Sequence, residues 1–291
     1  MTAKDKAPGG KAAVVRRRRA ARRTPPPKSG GPPYTRAWLY PKQRETIFCK
    51  QRYAIVEAST KSGKTVGCMV WLLDQAWPER SRSGRETVAG PGARRKEEAQ
   101  DQPPASVRNY WWVAPVTAQA KIAYRRLKRV LPRGAFTAKE TELTITLANE
   151  SVVWFKGADD PDHLYGEDVY AAVIDEATRC KEEAWHAIRS TLTATRGPVR
   201  IIGNVKGTRN WAFRLARRAE AGERGMHYAK ITAHDAVAAR VIVRAEVEDA
   251  RRTLPESVFR QLYLAEPADD EGNPFGITAV RGCIEAAPSD A

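Results

Sequence analysis

Long apolar runs are missing from this sequence of 291 residues. No stretch approaches the roughly 18 consecutive apolar residues that a membrane-spanning helix needs. The basic N-terminus is also not followed by the apolar segment that completes a secretory signal peptide. These absences predict a protein that neither crosses a membrane nor carries an export signal.

Cysteine is scarce, and its few positions lie far apart. Disulfide frameworks and structural zinc sites both depend on closely grouped cysteines. The sequence has no Cys-x-x-Cys pair, which argues against a disulfide-stabilised secreted domain and against a zinc centre. It predicts reduced thiols in a cytosolic compartment. The four cysteines are Cys49, Cys68, Cys180 and Cys283.

Acidic residues are few relative to basic ones. The chain has 34 Asp and Glu against 50 Lys and Arg, which gives a formal net charge of +16 and a pI near 9.9. Such an excess favours a polyanionic partner, most simply nucleic acid. Residues 1–33 alone hold ten of the basic residues and one acid. This arm is rich in Gly and Pro, so we predict that it is disordered and that it tethers DNA, docks a partner or only raises solubility.

Residues 53–77 carry the strongest local pattern in the chain. The short β-branched run 53–56 is typical of a buried strand. The loop that follows contains Gly-Lys-Thr, and the next segment has apolar residues at the spacing of one helix face. A strand, a loop with Gly-Lys-Thr and a helix in this order predict a phosphate-binding loop. The apolar helix positions are Val66, Met69, Val70, Leu73, Ala76 and Trp77.

The chemistry of such a loop assigns a role to each residue type. The first N–H groups of the helix are unpaired, and the helix dipole adds positive potential, so the loop attracts phosphate. Gly63 lets the backbone approach the phosphates, Lys64 would reach the β- and γ-phosphates, and Thr65 would place its hydroxyl on Mg²⁺. The usual pattern opens with glycine, and this chain has Ala58 there. The other loop residues predicted to bind the nucleotide are Ser59, Thr60, Lys61 and Ser62.

A second decisive stretch, residues 169–177, ends an apolar run in two adjacent acids. Two carboxylates at the tip of a buried strand are costly unless a cation or a metal pairs with them. In nucleotide hydrolases the first acid, here Asp175, holds Mg²⁺, and the second, here Glu176, polarises the attacking water. Together with the phosphate loop, this pair predicts that the chain binds ATP with Mg²⁺ and hydrolyses it.

Other functions share part of this pattern and stay open. A helicase or another DNA-stimulated ATPase would carry both nucleotide motifs, and strand separation would distinguish it. A small-molecule kinase is disfavoured because a hydrolytic Glu176 would waste ATP, and a GTPase because the sequence has no Asn-Lys-x-Asp motif. A non-catalytic DNA-binding regulator would explain the net charge but not the paired motifs.

The remaining pattern predicts one α/β domain over residues 34–265. We expect a mainly parallel sheet with helices on both faces and a β-hairpin added. Strand patterns cover residues 110–114, 142–147, 151–155, 199–202 and 226–231. Helix patterns begin at residue 40 and after residue 117, and cover 211–220, 241–253 and 256–264.

Three further features have open interpretations. Residues 79–108, rich in Gly, Pro and charge without periodicity, are predicted to form a mobile insertion that touches DNA or a neighbouring subunit. Thr117 is the predicted N-cap of a helix whose outer face is either a DNA-facing stripe or a solvated face. Asn204, after the strand 199–202, could sense the γ-phosphate. The basic residues of that helix face are Lys121, Arg125, Arg126, Lys128 and Arg129.

The order of these motifs resembles the large subunit of the tailed-phage terminase, the motor that packages DNA, over roughly residues 34–285. Residues 40–43, Tyr-Pro-Lys-Gln, match the family's adenine-binding segment, which makes Gln43 a candidate adenine ligand. Residues 58–65 are similar to its phosphate loop, in which a basic residue, here Lys61, precedes Gly-Lys. Asn204 falls at its coupling motif, where relatives usually carry Ser or Thr.

The resemblance implies a P-loop NTPase fold of the ASCE, RecA-like type. It implies Glu176, Lys64 and Lys61 as catalytic residues, with ATP and Mg²⁺ as ligands. It also implies partners: double-stranded DNA that is moved into a procapsid, the portal protein, the terminase small subunit and further copies of the chain in a ring. The place of action would be the host cytoplasm, at the portal vertex of the procapsid.

The sequence departs from the family in two respects. Many relatives carry Arg directly before the Gly of a Leu-x-Gly segment, and this chain has Tyr165 there, so Lys61 or an Arg of a neighbouring subunit would stabilise the developing charge. Family members also continue into a ribonuclease-H-like nuclease. We expect an ATPase half without nuclease activity, with residues 266–291 as a linker toward a nuclease that is cut off or lies on a separate chain. The acid-rich residues 159–163 are interpreted as a turn.

Overall fold

A single eight-stranded sheet organises residues 37–77 and 107–267, the ranges that the computed structural model describes. The strand order is β3-β4-β5-β2-β6-β7-β1-β8. Strands β5 to β8 in this order pair in parallel, and β3, β4 and β5 pair antiparallel. The predicted α/β class, with a mainly parallel sheet and an added hairpin, is therefore confirmed. The strands are β1 (Tyr53–Ala58), β2 (Asn109–Ala114), β3 (Phe136–Lys139), β4 (Thr144–Leu147), β5 (Val152–Gly157), β6 (Val169–Ile174), β7 (Val199–Gly203) and β8 (Met226–Ile231).

Helices cover both faces of this sheet. The helices are α1 (Pro41–Ile47), α2 (Lys64–Ala76), α3 (Thr117–Val130), α4 (Glu182–Thr191), α5 (Trp211–Glu220), α6 (Ala233–Ala238), α7 (Arg244–Thr253) and α8 (Glu256–Tyr263). Helices α1, α2 and α3 pack on one face, and α4 and α5 pack on the other. Helices α6, α7 and α8 form a smaller apolar cluster of their own.

The centre of the sheet is buried on both faces. Trp111 and Trp112 on β2 are both 0% exposed and belong to the cores on opposite faces. Successive side chains of a strand point to opposite sides, so a strand covered by helices on both faces is apolar without interruption. This burial explains why β1, β2, β6 and β7 read as short apolar runs in the sequence.

Several local predictions need correction. Thr117 is the first residue of α3 and not its N-cap, which is Val116 and makes no side-chain cap bond. The helix expected from residue 241 begins at Arg244. Sequence reasoning also missed α4, α6 and β3. Strand β3 lies at the sheet edge and alternates half-buried and exposed residues, so its apolar signal is weak.

Some predictions concern residues outside the described ranges. The basic arm 1–33, residues 79–106 of the insertion and residues 268–291 lie there. The predicted division of the chain into these segments stays a prediction. Among the helices of residues 37–77 and 107–267, none combines the length and the apolar character that a membrane crossing requires.

Candidate active site

The carboxyl ends of three parallel strands meet at one edge of the sheet. Strand β1 ends at Ala58, β6 at Ile174 and β7 at Gly203, and β7 pairs with both of the others. In open parallel sheets, ligands bind at this edge, outside the strand ends. The phosphate-loop sequence, the acid pair and Asn204 each follow one of these strands, so the fold brings the three motifs together.

The loop between β1 and α2 owes its shape to two residues with positive φ. Lys61 has a φ of 54° and Gly63 a φ of 80°. Gly63 is the N-cap of α2, and Lys64 is its first helical residue. The hydroxyl of Ser62 donates to the carbonyl oxygen of Ser59 at 2.8 Å and closes the loop on itself. The N–H groups of the first turn of α2 therefore end in an anion-binding geometry.

Residues of α1 hold this loop from the side. The Nε2 of Gln43 donates to the carbonyl oxygen of Gly63 at 2.8 Å, and the hydroxyl of Tyr40 donates to that of Ser62 at 2.6 Å. A Cβ at position 63 would lie 2.4 Å from the Gln43 Nε2, so this contact requires glycine. Sequence reasoning assigned Gly63 to phosphate approach and missed this second reason.

The amide of Gln43 is occupied at both ends. Its Oε1 accepts from the backbone N–H of Tyr40 at 3.2 Å, its Nε2 bonds the loop, and the residue is 4% exposed. The amide therefore supports the loop. The adenine contact expected from the resemblance stays a prediction, and it would require Gln43 to exchange hydrogen-bond partners.

Lys64 joins three of the predicted motifs. Its Nζ donates to the Oδ1 of Asn204 at 3.0 Å and lies 3.4 Å from the carbonyl oxygen of Ser59 and 3.4 Å from the Oε1 of Glu176. The residue is 7% exposed. A buried ammonium needs such acceptors, because an unpaired charge inside a protein is very costly. The structure thus places the loop lysine between the second acid and the residue after β7.

Asp175 lies directly after β6. Its backbone N–H donates to the carbonyl oxygen of Val113 at 2.8 Å, and its Oδ1 accepts from the N–H of Glu176 at 3.1 Å. Burial raises the pKa of Asp175 from 3.8 to about 7; the charge of Glu176 adds to the rise, and Lys64 opposes it. A carboxyl group in these surroundings favours a bound proton or a bound cation.

Glu176 adopts an unusual backbone conformation. Its φ of 50° lies in the left-handed region, which non-glycine residues enter mainly where the surrounding structure requires it. Gly203 makes room for this turn, since a Cβ there would lie 3.1 Å from the N of Ala177 and 3.3 Å from the Cα of Glu176. The Glu176 side chain stays 26% exposed, so water can reach it.

Asn204 connects the site to the end of α8. Its Nδ2 lies 3.5 Å from the carbonyl oxygen of Leu262, which also accepts from the N–H of Thr60 at 2.7 Å. The carbonyl oxygen of Asn204 accepts from the hydroxyl of Thr178 at 3.0 Å. No local sequence signal indicated Leu262, because it contributes through its backbone.

The other predicted ligands occupy different depths of the loop. Ser59 and Ser62 are fully buried, and Thr60 is half-buried. Lys61 is exposed at the loop tip, and Thr65 is half-buried as the second residue of α2. All of them lie on the loop or on the first turn of α2, where the sequence placed them. Their contacts with a nucleotide stay predictions.

The acid-rich segment before β6 forms a short 3₁₀ turn, Pro161–Leu164. The side chain of Asp160 accepts from the N–H of Asp162 and lies 3.5 Å from the ring of His163. These acids therefore serve the turn. In the described part of the chain, no group of three or more His, Cys, Asp and Glu side chains is placed to hold a metal ion.

Solved structures share this arrangement of strands and helices. No protein-family model and no curated protein matches the sequence. The large terminase ATPase domain of Thermus phage P74-26 matches with a TM-score of 0.60 at 20% identity, over 79% of this chain and 94% of that one. The chain has the fold of a large-terminase ATPase domain. The predicted P-loop NTPase fold is thereby confirmed.

Two longer proteins contain the same terminase ATPase fold. A full large terminase from a thermophilic bacteriophage, in complex with ATP-γ-S, matches with a TM-score of 0.56 at 13% identity, over 78% of this chain and 52% of that one. The HK97 bacteriophage large terminase matches with a TM-score of 0.57 at 15% identity, over 79% and 51%. The chain therefore spans about half the length of these two proteins.

Proposed function

We propose that this chain is the ATPase of a viral genome-packaging terminase, which hydrolyses ATP to move double-stranded DNA into a procapsid. The observation that carries the proposal is the position of Lys64 at a helix N-terminus, 3.4 Å from Glu176 and 3.0 Å from Asn204. Groups suited to phosphate binding and to water activation thus share one sheet edge. The longer large terminase from a thermophilic bacteriophage, which has the same fold, was solved in complexes with ADP and with ATP-γ-S, and this supports a nucleotide ligand.

The phosphates of ATP would lie against the N-terminus of α2. The N–H groups of its first turn and the helix dipole attract the β- and γ-phosphates. The ammonium of Lys64 has three donors, which now meet Ser59, Asn204 and Glu176. Phosphate oxygens would replace one or more of these acceptors, because hydrogen bonds between charged groups are the stronger ones. Lys61, exposed at the loop tip, would add positive charge at the γ-phosphate.

The residues around Asp175 fit a magnesium ion. The raised pKa of this carboxyl shows that its charge gains from a nearby cation, and Thr65 offers a hydroxyl oxygen on the first turn of α2. Magnesium in nucleotide sites is held by one or two protein oxygens together with phosphate oxygens and waters, so it needs no larger acid cluster. Asp175 and Thr65 would hold the ion, which when bound neutralises charge on the phosphate oxygens.

Glu176 would orient the attacking water and accept its proton. The left-handed turn after Asp175 presents its side chain at the sheet edge, where the side chain contacts Lys64. A shift of Lys64 toward the phosphates would free the carboxylate of Glu176 for the water. Asn204, now bonded to Lys64, would register the same shift.

The partners follow from the packaging role. We propose double-stranded DNA, the portal protein, the terminase small subunit, a nuclease domain and further copies of this chain in a ring as its partners. The chain would act in the host cytoplasm, at the portal vertex. The net charge of +16 supports the nucleic-acid partner.

The test is steady-state ATP hydrolysis by the full chain, with and without linear double-stranded DNA. Glu176→Ala and Glu176→Gln should lower turnover by about 100-fold or more while ATP still binds, since a general base contributes about 10²–10⁴-fold. Glu183→Gln removes an exposed carboxylate on α4 and should leave turnover unchanged.

Several outcomes would overturn the proposal. Near-normal turnover in both Glu176 variants would remove this residue from the reaction. A chain that binds no nucleotide would not be an ATPase. DNA-stimulated turnover accompanied by separation of the DNA strands would identify a helicase instead.

A further inference from the structure

The outer face of α3 carries charge of one sign only. The helix Thr117–Val130 contains no Asp or Glu. Its inner face, formed by Ala120, Ala123, Tyr124 and Leu127, packs on the sheet. Its outer positions are exposed. The basic residues among them are Lys121, Arg125, Arg126, Lys128 and Arg129, named here the α3 basic face.

Few of these charges find a partner within residues 37–77 and 107–267. Lys128 pairs with Glu140. For Arg125, Arg126 and Arg129, the described residues supply no carboxylate within ion-pair distance. An exposed helix face that is merely solvated usually intersperses acids with its bases, and this one does not.

Helix α5 provides the internal contrast. Its three arginines all have carboxylate partners: Arg214 pairs with Glu182, Arg217 with Glu57 and Arg218 with Glu223. The two helices are thus equally rich in arginine but differ in how those charges are neutralised. The α3 basic face presents uncompensated positive charge to an external group.

The spacing on α3 aligns these charges. Arg125 and Arg129 are four residues apart and therefore lie one above the other, about one helical turn of 5.4 Å apart. Ile122, 60% exposed, lies on the same row. Guanidinium groups bind phosphate through paired N–H donors, and Arg is the preferred side chain for such contacts.

We propose that the α3 basic face binds the phosphate backbone of double-stranded DNA, with Arg125 and Arg129 at its centre. This inference rests on the proposed function for its partner. Charge complementarity selects a polyanion, and the row has no Asn or Gln of the kind that reads base edges, so binding is independent of sequence.

The position of α3 relative to the site supports a role during the ATPase cycle. The helix begins at the sheet edge that holds the site, directly after β2, whose Val113 accepts the N–H of Asp175. The positive charge of Arg126 reaches Asp175 and lowers the pKa of its carboxyl, against the larger effect of burial. DNA phosphates on this face would weaken that influence.

The experiment measures binding of the full chain to linear duplex DNA of unrelated sequences over a range of salt concentrations. The double variant R125Q/R129Q should reduce the slope of log K against log salt by about 1.8, because each phosphate contact contributes about 0.9. It should weaken binding equally for all sequences. Basal ATP hydrolysis without DNA should stay unchanged.

A matched control separates this face from net charge. R224Q/R244Q removes two exposed arginines from other parts of the surface and should change the slope much less. An equal loss in both double variants would overturn the proposal, as would an unchanged slope in R125Q/R129Q. A chain without ATP hydrolysis that still loses slope only in R125Q/R129Q would leave the DNA face standing and remove the ATPase function.

Discussion

Burial sets the chemistry of single residues at this site. Lys64 is enclosed, but three acceptors within 3.4 Å satisfy its charge. Asp175 accepts a backbone N–H and lies beside a second carboxylate, so burial and Glu176 together raise its pKa to about 7. One buried charge is thus compensated by the protein, and the other favours a proton or a cation.

A consequence is that ionised Asp175 should destabilise the protein in the absence of nucleotide and metal. Its folded-state pKa lies above the ordinary value of 3.8, so the folded state binds this proton more tightly than the unfolded state. The stability that it contributes is present below pH 4 and is lost as the pH rises toward 7. Asp175→Asn should therefore gain stability relative to the unmodified chain over this interval, by a few kcal/mol, since one pK unit is about 1.4 kcal/mol.

Urea unfolding at pH 4, 5.5, 7 and 8 with EDTA present would measure this difference. The gain of Asp175→Asn should grow from pH 4 to pH 7 and then level off. Asp168→Asn removes an exposed carboxylate near the start of the same strand and serves as the control. A stability difference that is the same at every pH would contradict the prediction.

At the scale of elements, α1 depends on the rest of the fold for its position. It has 7 residues, too few for a helix that is stable alone. Arg200 on β7 holds its end: the guanidinium donates to the carbonyl oxygens of Ile47 and Cys49 at 2.5 Å and 2.8 Å and lies 4.3 Å from the ring centre of Trp71. Because α1 carries Gln43 and follows directly on Tyr40, this anchor also positions the phosphate loop.

Arg200→Met should therefore weaken both the fold and the nucleotide site. It leaves buried carbonyl groups without a donor, which costs about 1–3 kcal/mol. The KM for ATP should rise several-fold, with a smaller change in kcat, because the loop loses its support while Glu176 keeps its place. Urea unfolding and steady-state kinetics would check the two effects.

Arg52→Met provides a matched comparison. Arg52 also donates to backbone carbonyls, those of Leu192 and Gly197, but away from α1. It should lose stability without a change in the KM for ATP. If both variants raise KM equally, general loosening of the fold and not the position of α1 would explain the effect.

At the scale of the whole molecule, charge is concentrated at the N-terminus of the sequence. Residues 1–33 hold ten Lys and Arg and one acid, against a total of +16. If this arm contacts DNA, its deletion should weaken binding and lower the salt slope by up to about 9, at about 0.9 per phosphate contact. Salt titrations of the full and the shortened chain would measure the change. An unchanged slope would show that the arm takes no part in DNA binding.

Local patterns predict most of the elements because the signals are local. The bounds of α5 and β8 agree with the prediction, since both segments have a regular apolar period. Strand β3 and helix α6 escape prediction because they have 4 and 6 residues, too few to show a period. The start of α3 differs by one residue because Val116, and not the polar Thr117, precedes the first turn.

The sequence by itself determined the strand, loop and helix around Gly63 and the acid pair after β6, because spacing and residue type along a short stretch suffice for both. Only the tertiary structure decided which distant groups meet. Lys64 reaches Asn204 across 140 residues, and the carbonyl oxygen of Leu262 accepts from Thr60. Such contacts depend on the order of strands in the sheet and on backbone atoms that every residue shares, so no local pattern encodes them.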